Sequence, residues 1–126
     1  MDMKINFKAT NMELTEAVKQ YAEEKITKLT KYIPDQPDIE VKAQVELGKE
    51  VGDQRAGDIF LAELNMEVSG QFYRAAAEKD DLYAAIDQMR DEAARVLKKD
   101  KGRKNSLYRQ GGSKIKNFLK GLGNRS

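Results

Sequence analysis

The chain contains no cysteine and no histidine, and each absence removes a class of chemistry. Without cysteine there is no disulfide framework, no thiolate nucleophile and no soft metal ligand. Without histidine the commonest general base and the commonest imidazole ligand are missing as well. That usage suits a reducing compartment. No apolar run approaches the ~18–20 residues needed to cross a bilayer. The opening Met1-Asp2-Met3-Lys4-Ile5 lacks the charged-then-apolar layout of a secretory signal. A cytoplasmic protein with no membrane partner is expected. The carboxylate pairs Glu23-Glu24 and Asp80-Asp81 have no third ligand at useful spacing, and neighbouring helical residues point in different directions. No glycine-rich loop leads into Lys-Ser or Lys-Thr. The chain does not read as an enzyme, and no catalytic residue, metal, cofactor or small-molecule substrate is expected of it.

Charge, by contrast, is abundant: 35% of the 126 residues are Asp, Glu, Lys or Arg, against 40% apolar. One domain of about 100 residues can bury a single core with that apolar share. The net charge of +2 conceals an asymmetry. From Arg95 onward there are eleven bases and one acid, Asp100, for a net +10; the first 94 residues carry twelve bases and twenty acids, net −8. A solubilising tail is the plain explanation. The density favours another, because like charges this close repel until a polyanion neutralises them.

Periodicity lays out the elements. Ile5 and Phe7 alternate with polar neighbours in a short first strand. Thr15 has the character of an N-cap, and Leu14, Val18, Tyr21, Ala22, Ile26, Leu29, Tyr32 and Ile33 recur at helical steps over about five turns. The only two prolines, Pro34 and Pro37, end that helix. Ile39, Val41, Ala43, Val45 and Leu47 alternate as a half-buried strand. Gly48 to Asp58 reads as a long hairpin loop. Phe60, Ala62, Leu64, Met66 and Val68 form a third strand, and Gly70-Gln71 turns into a fourth, Phe72 to Glu78. Asp80 or Asp81 caps a second helix with the stripe Leu82, Ala85, Ile86, Met89, Ala93, Val96 and Leu97. The order is β-α-β-β-β-α. Strands polar at alternate positions bury one face only, so both helices are expected on that face. The fold class is α+β, a two-layer sandwich of a four-stranded sheet and two helices. Residues 1–101 make the domain, and residues 102–126 a basic flexible tail opening at Gly102. Within the tail, Ile115, Phe118, Leu119 and Leu122 fall at i, i+3, i+4, i+7, as a short helix formed on contact or a membrane-surface anchor would.

The helix surfaces suggest what the charge is for. Lys25, Lys28 and Lys31 step at i, i+3, i+6 beside the first apolar stripe. On the second helix Tyr83, Arg90 and Lys101 lie within about 20° of one another at 100° per residue. Asp87 and Lys98 sit next to them, with Arg95 and Lys99 on the other flank. Cations in a last helical turn suit its dipole, which accounts for some of this. Two basic helix faces also suit the phosphates and 2′-hydroxyls across the minor groove of double-stranded RNA.

Asp81-Leu82-Tyr83-Ala84-Ala85-Ile86-Asp87 closely resembles the D-x-Y-A-A-I-D signature of the ribosome hibernation promoting factor (ribosome-associated inhibitor A, protein Y) family. Ile5-Asn6-Phe7, Asn11-Met12-Glu13-Leu14-Thr15-Glu16-Ala17 and Lys28-Leu29-Thr30-Lys31-Tyr32 are similar to it too, and the likeness runs from about Met3 to Lys104. The resemblance implies the same β-α-β-β-β-α sandwich, akin to double-stranded RNA-binding domains. It implies a translation inhibitor that binds rRNA in the decoding region of the small ribosomal subunit and occludes mRNA and tRNA sites under stress. The rRNA-binding residues it implies are Lys25, Lys28, Lys31, Arg90, Arg95, Lys98, Lys99 and Lys101, with Tyr83 and Asp87 of the signature and Arg103 and Lys104 beyond. The short length leaves no room for the ribosome-pairing second domain of long members. The chain should therefore not pair ribosomes by itself, and a monomer off the ribosome is expected. A general double-stranded RNA binder, or the sigma-factor modulation also ascribed to this family, is the alternative.

Overall fold

The computed structural model describes residues 2–34, 36–52 and 57–109, the last eight of these for their backbone only. Four strands, β1 (Asp2–Thr10), β2 (Glu40–Glu50), β3 (Ile59–Val68) and β4 (Gln71–Lys79), form one sheet in chain order. β1 pairs parallel with β2, and the other two pairings are antiparallel. The parallel pair is joined by the helical crossover α1 (Glu16–Thr27), and α2 (Leu82–Arg109) follows β4. Register aligns the apolar positions in rows: Phe7, Val45, Leu64 and Ala75 across one, Ala9, Leu47, Ala62 and Ala77 across the next. The buried members of these rows share one cluster with Val18, Ala22 and Ile26 of α1 and Ala85, Ile86 and Met89 of α2. Both helices therefore cover the same face, as one-sided alternation requires.

The ends of the elements follow local chemistry. The Val18 amide donates to the Thr15 hydroxyl at 3.2 Å, and the Ala84 amide to the Asp81 carboxylate at 2.9 Å, so these are the N-caps. The β3–β4 turn is Ser69-Gly70, both with positive φ (45° and 87°), the geometry of a two-residue type I′ hairpin. Gln71 already belongs to β4, and the β2–β3 loop begins at Val51 because β2 extends to Glu50.

Besides these shifts at the two hairpins, three further expectations need correction. The first helix is not one run of five α-turns; α1 ends at Thr27 and a 3-10 helix spans Lys28–Tyr32. The Thr27 hydroxyl donates to the Glu23 carbonyl and the Thr30 hydroxyl to the Thr27 carbonyl, side-chain bonds that compete with the regular ladder and tighten it. Second, Val96 is only half-buried, and Ala94 takes its place in the core. Third, α2 does not stop at Lys101 but runs through Gly102 to Arg109. One glycine costs a helix about 1 kcal/mol relative to alanine, a penalty that good helix formers on both sides absorb. Residues 110–126, with Ile115, Phe118, Leu119 and Leu122, lie outside the described residues.

A polar latch fixes how the helices sit. Tyr21 of α1 donates to Asp87 of α2 at 2.6 Å, and Lys25 approaches the same carboxylate at 3.5 Å. The Tyr21 and Tyr83 rings meet edge to face, centroids 4.8 Å apart. The hydrogen bond to Asp87, then burial, then the carboxylate's charge push the Tyr21 phenol up to about 12. Tyr73 of β4 donates likewise to Asp100, and burial, then that bond, raises it to about 12.

Two predictions follow from this packing. Ile86→Ala should destabilise the domain by ~2–5 kcal/mol and Val96→Ala by less than about 1 kcal/mol in urea unfolding, because only the first empties a fully buried site. Raised tyrosine values mean stability that is complete below the ordinary phenol value and lost as pH climbs toward about 12. A Tyr21→Phe, Tyr73→Phe double variant should lose less stability than the parent between about pH 10 and 12. Equal losses would show that neither phenol is held as described.

Candidate nucleic-acid interface

Two surfaces of the sandwich could meet a polyanion, and their charge separates them. The uncovered sheet face presents Lys4, Lys8, Lys42 and Arg74 among Asp2, Glu40, Glu46, Glu63, Glu67 and Glu78. Acids outnumber bases there, and Arg74 is paired with Glu63 at 3.1 Å. That balance disfavours a phosphate backbone.

The helix-side surface is different. A 3-10 helix has three residues per turn, so side chains at i and i+3 eclipse, and Lys28 and Lys31 project together. On α2, Arg90, Ala94 and Lys98 follow one another at i, i+4, i+8 along the side toward α1. These two rows enclose a cleft of about 400 Å³ lined by Lys28, Leu29, Lys31, Tyr32, Arg90, Asp91, Ala94 and Lys98. It holds four cations and one carboxylate, and Asp91 is already engaged by Arg90 Nε at 2.8 Å. Leu29 and Ala94 are core residues, so the floor is rigid and the charges stand on its rim.

Tyr32 is the centre of the cleft. The ammonium groups of Lys31 and Lys98 each lie 5.1 Å from its ring centroid. Burial alone would raise its phenol, but the Lys31 and Lys98 hydrogen bonds and charges outweigh that and hold it below the usual phenol range. One aromatic ring thus gathers cations from two different elements.

The sequence-derived site residues divide accordingly. Lys28, Lys31, Arg90 and Lys98 come together in the cleft. Lys25, Asp87 and Tyr83 lie further along the same helix pair, in the latch with Tyr21. Arg95 is on the opposite flank of α2, bonded to Glu92, and Lys99 is one turn beyond it. Lys101 lines a separate cavity of about 380 Å³ with Ile33, Pro34, Ile39, Val68 and Leu97, whose apolar walls offer a phosphate little. Arg103 and Lys104 fall on the helix backbone, and their side chains lie outside the described residues. Tyr32 and Asp91 are cleft residues that sequence reasoning did not single out. Tyr32 sits on the apolar stripe of the first helix, and the signals that could have found it are the adjacent Lys31 and its place in the Lys28–Tyr32 segment that resembles the family. Among the described residues no helix is long and apolar enough to cross a membrane.

Comparisons with known proteins bear on this geometry. The chain is 31% identical over 112 residues to the ribosome hibernation promoting factor of Azotobacter vinelandii, covering 89% of this chain and 94% of that one. It is 34% identical over 103 residues to the ribosome hibernation promotion factor of Lactococcus lactis, covering 82% of this chain but 52% of that longer protein. Among solved structures, the N-terminal domain of Thermus thermophilus Protein Y superposes with a TM-score of 0.61 at 29% identity, covering 79% of this chain and 98% of that domain. Residues 5–105 match the family described as sigma 54 modulation protein / S30EA ribosomal protein. That span takes in β2, β3, β4, α1, the 3-10 helix, β1 from Ile5 onward, α2 as far as Asn105 and every residue of the cleft, and the chain belongs to this family.

Proposed function

We propose that this protein is a ribosome hibernation factor that binds rRNA of the small subunit through the face formed by α1, the 3-10 helix and α2. The cleft carries the reading: four cations from two elements on a rigid floor, facing away from an acid-rich sheet. Relatives named as ribosome hibernation factors support it, and so does the matched family. The mechanism is occlusion. A domain seated by its helices in the decoding region covers the paths of mRNA and tRNA, and dissociation restores them without covalent change. Lys25 and the Tyr21–Asp87 bond keep the two helices in the relative pose that RNA meets. Arg95 and Lys99 add positive charge on the other flank of α2, outside the cleft.

Phosphate neutralisation releases counterions, so log affinity falls with log salt by about 0.7–0.9 per contact. Four cleft contacts give a slope of about −3 or steeper for small-subunit binding. The double variant Arg90→Glu, Lys98→Glu should abolish co-sedimentation with small subunits and leave the circular dichroism and urea midpoint unchanged, since both groups stand on the rim. Retained co-sedimentation would remove the cleft from the interface. Displacement from subunits by a modest excess of free duplex RNA would identify a general duplex-RNA binder instead.

A further inference from the structure

Four cations converge on one concavity of about 400 Å³, comparable in size with a small-ligand site. Lys31 and Lys98 belong to different elements and are both drawn to the Tyr32 ring at 5.1 Å. The other two cleft cations flank them: Lys28 is one 3-10 turn from Lys31, with a rise of about 6 Å, and Arg90 is two α-turns from Lys98. Arg90 spends one of its five donors on Asp91. The two lysines repel each other; the one carboxylate of the cleft, Asp91, is paired with Arg90, which leaves the Tyr32 ring and hydroxyl to offset the repulsion at Lys31 and Lys98. An anion with several oxygens, held between the Lys31 and Lys98 ammonium groups, relieves it.

We infer that this cleft is a discrete site for paired phosphates, a diphosphate group gripped by Lys31 and Lys98 and closed by Lys28 and Arg90, with Tyr32 as the positioning residue. The inference rests on the proposed rRNA-binding reading and sharpens it. It names the ligand group as a diphosphate and makes a free diphosphate a competitor of the ribosome at the same residues. Paired phosphates have two sources: successive phosphodiesters of an RNA strand, separated by a ribose, and the directly bridged phosphates of a free nucleoside 5′-diphosphate.

The test uses the full chain and inorganic pyrophosphate, titrated calorimetrically at constant ionic strength. One saturable site per chain is expected, with binding lost in Lys98→Ala. Tyr32→Phe should keep the site, and Tyr32→Leu should weaken it about tenfold through the loss of two cation–π contacts. Should Tyr32→Leu fail to fold, Lys98→Ala, an exposed change, decides alone. Pyrophosphate should also release the protein from small subunits beyond what sodium chloride does at matched ionic strength. A nucleoside 5′-diphosphate binding much tighter than pyrophosphate assigns the site to free nucleotide; a short RNA strand that displaces pyrophosphate, with no gain for the nucleoside 5′-diphosphate, assigns it to the strand. A response no different from chloride overturns the diphosphate site. Subunit binding that persists in that case leaves the hibernation reading standing. A saturable pyrophosphate site on a protein that never binds subunits removes that reading and keeps the site.

Discussion

Everything in this protein depends on the sheet having only one face to bury. Val41, Ala43, Val45 and Leu47, with their partners across β3 and β4, put apolar side chains on a single side, and the other side is acid-rich. Two helices seeking cover must therefore lie next to each other on the same layer. Their outward surfaces then become neighbours. Cations 67 residues apart in sequence, Lys31 and Lys98, end on either side of one tyrosine only because of that shared layer. The basic face is thus a consequence of how the core is made.

Closeness alone would not set the pose of the helices, since apolar contacts are non-directional. Direction comes from the Tyr21–Asp87 hydrogen bond, with Lys25 beside it and the Tyr83 ring against Tyr21. Asp87 accepts both the phenol and the ammonium, so a carboxylate within a basic face strengthens that face by ordering it. The tightening to a 3-10 helix at Lys28 acts in the same direction. It eclipses Lys28 and Lys31, where a continued α-helix would offset them by about 60°.

Much of this was legible in the sequence. Strict alternation in β2 and β3 and the 3.6-residue stripes gave element types, order and the single buried face, because each is a direct imprint of burial. The D-x-Y-A-A-I-D run gave the family. Three features were not legible, and each depends on contacts distant in sequence or on weak local competition. Val96 and Ala94 both lie near the edge of the α2 stripe, and which is buried depends on where α1 sits. The 3-10 transition rests on two threonine hydroxyls choosing backbone carbonyls over water. Gly102 reads as a stop, yet its cost is too small to end a helix among good formers. At the site, the lysines were visible as rows, but Tyr32 reads as a core aromatic until α2 brings Lys98 to it. Asp87 reads as part of a signature, and its bond to Tyr21 spans 66 positions.

The central claim is that the helix-side cleft, and not the open sheet face, meets rRNA. A chain without cysteine permits a direct test, because a single introduced thiol can carry a photo-cross-linker. Asp91→Cys places the probe on the exposed rim of the cleft, and Gln44→Cys places it at the centre of the uncovered sheet face. With both labelled proteins bound to small subunits, the account expects rRNA cross-links from position 91 and none from position 44. Cross-links from position 44 with none from position 91 would contradict it.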